Sequence, residues 1–139
     1  MDDFADLLTD PATSIAVVGA TDDPAKFGGR IYRDLKRKGF RAFAVNPGRA
    51  TVDGDACYPS LADLPEMPVI VNLVVPPSVG LEVLHECAAL GLQRVWVQPG
   101  AENDDLVAFI TQSGLTARVD DCIMVRTRAL PGHGQLGRG

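Results

Sequence analysis

At 139 residues the chain has room for one compact domain, and a composition of 46% hydrophobic and 22% charged residues excludes wholesale disorder. No apolar run reaches the ~18 residues of a membrane span, and the acidic start MDDFADLLTD lacks the basic flank and apolar stretch of a secretory signal. A net charge of −5 argues against nucleic acid or anionic membrane as a general partner, which leaves a cytoplasmic protein as the expectation.

Residues 1–12 are expected to form a short helix. Ser14-Ile15-Ala16-Val17-Val18 reads as a buried strand that stops at Gly19. Gly29 to Lys38 follows as a helix with Ile31 and Leu35 on one face and Gly39 as its stop. Arg41 to Val45 is a second strand, closed by the turn sequence Asn46-Pro47-Gly48. Val69 to Val75 is the third and most apolar strand, stopped by Pro76-Pro77. The helix from Ser78 to Leu90 is expected to bury Val79, Val83, Cys87, Ala89 and Leu90 before ending at Gly91. Arg94 to Gln98 forms the fourth strand and ends at Pro99-Gly100. Asn103 caps a helix running to Ser113, with Leu106 and Ile110 inward and Gly114 after it. Thr116 to Val119 is the fifth strand, and Cys122 to Val125 reads as a further short strand.

Strands that are apolar on consecutive residues suit a parallel sheet covered on both faces, and strand–helix alternation makes right-handed βαβ units. The expected fold is a single α/β domain over residues 1–128: a doubly wound, five-stranded parallel sheet in the order 3-2-1-4-5 within a three-layer αβα sandwich. Residues 129–139 are expected to be a flexible tail rich in Gly and Pro.

In such a sheet a ligand sits beyond the carboxyl ends of the strands, where strand order reverses. That order places the reversal between the first and fourth strands. The loops expected to converge there are Gly19 to Gly28, Val75 to Pro77 and Gln98 to Gly100, with Asn46 to Arg49 beside them. Small residues after the first strand let backbone N–H groups approach a phosphate, and the helix opening near Gly28-Gly29 turns its positive end there. Charge agrees: residues 26–49 carry Lys26, Arg30, Arg33, Lys36, Arg37, Lys38, Arg41 and Arg49 against Asp34 alone. Most of these decorate a solvated helix face, but Lys26 and Arg49 fall in loops.

The loop departs from the dinucleotide fingerprint, because Thr21 stands where G-x-G-x-x-G needs its second glycine. An NAD site also wants a carboxylate after the second strand. Here Asn46 and Pro47 are followed by Arg49, which favours a ligand with an extra phosphate, either NADP or coenzyme A.

The segments VGATDDPAKFGGRIYRDLKRKGF, AVNP, YPSLADLP, NLVVPP, VWVQPGAEND and GLTARVDDCIMV resemble the stand-alone CoA-binding domain family. That family is similar to the N-terminal domain of the succinyl-CoA synthetase alpha subunit. The resemblance runs from Ser14 to Val125 and implies a Rossmann-like fold with bound coenzyme A or acyl-CoA. Carried over by position, it implies that Gly19, Ala20 and Thr21 with Lys26 and Phe27 wrap the pyrophosphate. Asn46, Pro47 and Arg49 would border the adenosine and its 3′-phosphate. Val74, Val75 and Pro76 would line the adenine or pantetheine side, and Gln98 with Gly100 would close the pocket. Asp22 and Asp23 depart from the small polar residues common in relatives, and would repel phosphates if they faced that pocket.

Each residue also has an ordinary structural use. Lys26 and Arg49 can lie in solvent, Asn46 can satisfy turn backbone, and Pro76-Pro77 can simply end a strand and open a helix. Trp96 alternates with Val95 and Val97 as a core residue would. Cys57, Cys87 and Cys122 form no CxxC pair, so neither a disulfide framework nor a metal site is expected. Cys122 reads as a small packing group, with a disulfide to the thiol of coenzyme A as a minor alternative. His85 lies mid-helix beside Glu82 and Glu86, and His133 sits between glycines. No nucleophile–base pair or carboxylate pair assembles, so no catalytic residue is expected. The alternatives are an NADP- or CoA-dependent enzyme subunit completed by a partner domain, and a nucleotide-sensing interaction module. A protein partner fits either, and the sequence leaves the oligomeric state open.

Overall fold

The structure, a computed structural model, describes residues 4–132. Its elements in chain order are α1 (Phe4–Leu7), β1 (Ser14–Val18), α2 (Phe27–Arg37), β2 (Arg41–Val45), β3 (Thr51–Val52), β4 (Asp55–Tyr58), a 3-10 turn (Leu61–Asp63), β5 (Ile70–Leu73), α3 (Pro77–Leu90), β6 (Arg94–Val97), α4 (Asp104–Ser113), β7 (Thr116–Val119) and α5 (Ile123–Arg126). The strands form one seven-stranded sheet in the order β3-β4-β2-β1-β5-β6-β7. Every pairing is parallel except the β3–β4 hairpin.

The fold is therefore a Rossmann-like α/β domain, but not with the expected sheet. The expected order put residues 69–75 at the edge and residues 94–98 beside the first strand. Instead β5 pairs directly with β1, aligning Val17 with Asn72, and β6 lies outside β5. The place beside β2 is taken by β4, which aligns Cys57 with Ala44. The chain reaches it by turning at Asp53-Gly54, whose φ values of 54° and 79° are those of a tight hairpin turn. The reversal of strand order thus falls between β1 and β5.

Both faces of the sheet are covered because side chains alternate along each central strand. Ile15, Val17, Ile70 and Trp96 pack with Ile31, Tyr32 and Leu35 of α2, Phe4 of α1 and Ile123 of α5. Ala16, Val18, Val71, Leu73 and Val97 pack on the other face with Leu84 and Cys87 of α3 and Leu106 and Ile110 of α4. Burying each large aliphatic side chain contributes about 1.5–3 kcal/mol.

Two local expectations are corrected. Helix α3 buries Gly80, Leu84 and Cys87, and Val83 and Leu90 pack partly against the core, whereas Val79 and Ala89 are exposed. At Gly80 an added Cβ would lie 3.1 Å from Leu106, so α3 packs closely on α4 there. Residues 123–126 form α5 and not a strand, because β7 leaves through Asp120, at φ 58°, and turns the chain across the sheet. Trp96 is fully buried; its Nε1 donates to the carbonyl of Asp121 at 2.7 Å, and Phe4 meets its ring edge-on. Leu130 is also buried, and its amide donates to the carbonyl of Lys38 at 2.8 Å. Residues 1–3 and 133–139, and with them His133 and most of the expected tail, lie outside the described residues. Among the described residues no helix is long and apolar enough to cross a membrane.

Candidate functional site

The exits of β1, β2, β5 and β6 enclose a crevice made of two hollows. One, of ≈ 520 Å³, lies against the start of α2 and the exit of β6. The other, of ≈ 430 Å³, lies between the exit of β2, the 3-10 turn and α3. Both are walled by Gly19, Asn46, Val75 and Pro76.

Backbone geometry fixes the near wall. Gly19 has φ +105°, its amide donates to Val45 O at 2.9 Å, and an added Cβ would lie 2.5 Å from Val74 O. A Cβ on Gly28 would lie 1.9 Å from Gly19 O, and one on Gly29 2.1 Å from Thr21 O. Only glycine lets α2 begin hard against the loop after β1. Helix α2 therefore starts at Phe27, two residues earlier than the sequence indicated, with Lys26 as an extended N-cap residue.

The loop between them is held from within. Thr21 is buried, and its Oγ1 accepts from the amide of Asp23 at 3.1 Å. Asp23 Oδ1 accepts from the amide of Ala25 at 2.9 Å. Asp22 accepts from the amide of Asp53 at 2.8 Å and stands 3.5 Å from Arg49. Both carboxylates are thereby engaged away from the crevice, and neither lines a hollow.

Of the residues singled out in the sequence, Gly19, Thr21, Lys26, Phe27, Asn46, Val74, Val75, Pro76, Gln98 and Gly100 line the α2-side hollow. Pro47 lines the other. Ala20 is fully buried and supplies only its carbonyl, which accepts from Asn46 Nδ2 at 3.0 Å. Arg49 is exposed, paired with Asp22, and lines neither hollow.

The polar side chains differ in how far they are committed. Asn46 is held at both ends of its amide: beside its bond to Ala20, its Oδ1 accepts from the amide of Gly48 at 2.9 Å. Gln98 is buried; its Oε1 accepts from the amide of Ile123 at 2.9 Å, and its Nε2 approaches Cys122 Sγ at 3.5 Å. Lys26 and Phe27 are exposed at the mouth, and the first N–H groups of α2 have no intrahelical partners. That combination suits an anion.

Sequence reasoning missed the far wall. Pro59, Ser60 and Leu61 follow β4, and Val79, Glu82, Val83 and Glu86 project from α3. The i, i+3, i+4, i+7 spacing of the α3 set is the available signal. Of the two valines expected in the core, Val79 is exposed, while Val83 packs partly against the core and also lines the hollow.

The thiols divide by burial. Cys87 is pushed up to about 12, chiefly by desolvation, and Cys57 is also raised by its burial. Among the described residues no group of His, Cys, Asp and Glu could hold a metal ion. His85 stacks on Phe109 at 4.1 Å between ring centres, on the surface of α3.

A family model described as CoA binding domain matches residues 13–128. The chain is 35% identical over 82 residues to the ADP-forming acetate–CoA ligase II of Archaeoglobus fulgidus, covering 58% of this chain and 12% of the ligase. It is 33% identical to the alpha subunit of the corresponding Pyrococcus furiosus ligase, covering 58% of this chain and 18% of that subunit. The chain thus spans less than a fifth of either curated relative. A solved conserved hypothetical protein from Pyrococcus furiosus superposes with a TM-score of 0.79 at 41% identity, over 83% of this chain and 99% of that one.

Proposed function

The chain belongs to the CoA-binding domain family, and from that premise we propose that it holds coenzyme A or an acyl-CoA in the crevice, without catalytic residues of its own. The observation that carries this reading is the pairing of a cationic hollow at the start of α2 with an apolar-walled one beyond β2. An adenosine carrying a pyrophosphate needs both, the first for its phosphates and the second for its base. The pyrophosphate lies at Lys26 and the first amides of α2. The ribose crosses at Asn46 and Pro47 with the adenine beyond it, and Arg49, outside both hollows, serves the 3′-phosphate on leaving its pair with Asp22. The pantetheine arm runs past Phe27, Val74, Val75 and Pro76 toward Gln98 and Gly100.

Calorimetric titration with coenzyme A, acetyl-CoA, NAD and NADP tests this. Tighter binding of the two CoA compounds, weakening with added salt, supports it; equal or undetectable heats for all four refute it.

A second reading is favoured by the curated relatives, which are ligases several times longer than this chain. In it the domain delivers coenzyme A to catalytic groups on a partner protein. CoA-dependent acyl transfer by an isolated complex, absent from the chain alone, would select it.

A further inference from the structure

The two hollows carry opposite charge. The α2-side hollow has Lys26 as its one ionised wall residue, whereas the hollow beyond β2 has Glu82 and Glu86 and no Lys or Arg. A pyrophosphate beside two carboxylates is repelled and one beside Lys26 is attracted, so the pyrophosphate takes the α2 side and the base the side beyond β2. The 3′-phosphate on the ribose is turned away from α3, toward solvent and Arg49. The base then enters between Val45 and Pro47 on one side and Leu61, Val79 and Val83 on the other, under the carboxylates of α3.

Those carboxylates are not equivalent. Glu86 Oε2 already accepts from the amide of Ala62 at 3.2 Å, which fixes the 3-10 turn to α3. Glu82 makes no side-chain hydrogen bond or ion pair among the described residues, and it lines the hollow one helical turn closer to Pro76. An ionised carboxylate only accepts hydrogen bonds. It therefore favours a base edge that donates, such as a 6-amino purine, and disfavours a 6-oxo purine, whose oxygen would face it.

Resting on the proposed CoA reading and deepening it, we propose that Glu82 is a specificity-determining residue that reads the exocyclic amine of the base and makes the crevice selective for adenine. The experiment uses the full chain and two titrants: coenzyme A and its deaminated analogue, in which hypoxanthine replaces adenine. The wild type binds coenzyme A about ten- to a hundredfold more tightly than the analogue, the scale of a hydrogen bond to a charged acceptor. In Glu82→Gln the amide can donate to a 6-oxo group, so the preference narrows at least fivefold and the analogue gains affinity in absolute terms. Glu82 is exposed on α3, so the variant keeps the wild-type melting temperature. Equal wild-type affinities for the two titrants, or an unchanged ratio in Glu82→Gln, overturn the role of Glu82 while leaving CoA binding in place. Failure of the wild type to bind coenzyme A overturns both.

Discussion

The side-chain amide of Asn46 donates to the carbonyl of Ala20 at 3.0 Å while its oxygen accepts from the amide of Gly48 at 2.9 Å. One residue at the end of β2 thus fixes two loops, its own and the one after β1, and sits in the wall common to both hollows. An aspartate there, as a nicotinamide-dinucleotide site would want, could not make the bond to Ala20, because it would oppose one acceptor with another. Asn46→Ala leaves the carbonyl of a fully buried residue without its donor. It should cost about 1–3 kcal/mol of stability, measured by urea unfolding, and lower CoA affinity as well. Unchanged stability would show that the two loops hold each other without it.

Lys26 lines the α2-side hollow, and no ion pair ties it to another described residue. Lys26→Ala should therefore weaken CoA binding by ~1–2 kcal/mol and flatten its salt dependence, with the melting temperature unchanged. An unaltered affinity would move the phosphates away from the start of α2.

The contact between Gly28 and Gly19 leaves no room for a methyl group. Gly28→Ala would set a Cβ 1.9 Å from a carbonyl oxygen, and neither partner is a side chain that could rotate aside. The expected cost is about 1–3 kcal/mol or more, with loss of CoA binding as α2 is pushed from the loop. By contrast a Cβ on Gly54 meets nothing within 4 Å, so Gly54→Ala should show only the smaller cost of its φ of +79°. Equal destabilisation of the two variants, read from chemical denaturation, would contradict the steric argument.

Tyr32, Lys36 and Asp55 tie the β3–β4 hairpin to α2, and each titrates away from its ordinary value. Burial, then the hydrogen bond to Asp55 at 2.7 Å, holds the Tyr32 hydroxyl well above its usual 10.0. The bond to Asp55 raises Lys36 above 10.5, and the bonds from Lys36 and Tyr32 lower Asp55 below 3.8. A depressed carboxyl contributes stability above its unfolded value, lost as pH falls through the folded one. The raised lysine and tyrosine contribute below their unfolded values, lost as pH rises through the folded ones. The contribution of this cluster is therefore flat across neutral pH and declines below about 3.8 and above about 10. Asp55→Asn should shallow the acid limb of a plot of melting temperature against pH; parallel curves would refute the assignment.

Long apolar runs announced β1, β2, β5 and β6, and glycine stops announced the helix ends, because these features are set by a few consecutive residues. The hairpin was legible only in its turn. Thr51–Val52 and Asp55–Tyr58 are too short and polar to read as strands, yet Asp53-Gly54 is a strong hairpin signal, and weighing it would have corrected the strand order. Ile123, Met124 and Val125 have the composition of a strand but come after a sharp turn at Asp120, and tertiary position overrides their propensity. At the crevice, loops adjoining long strands were placed by chain order alone. The α3 wall was not, because Val79 and Val83 stand at the border of core and crevice, and which they meet is decided by how α3 packs on the sheet and α4.

The amide of Leu130 is pinned to Lys38, at the foot of α2, while the head of that helix opens onto the crevice. Eleven helical residues separate the two ends, about 16 Å of axial rise. A fluorophore or surface tether fixed at the exposed Gly132, just past Leu130, would consequently sit at the opposite pole from the ligand's doorway. Immobilisation at that point would present the doorway to solution unobstructed.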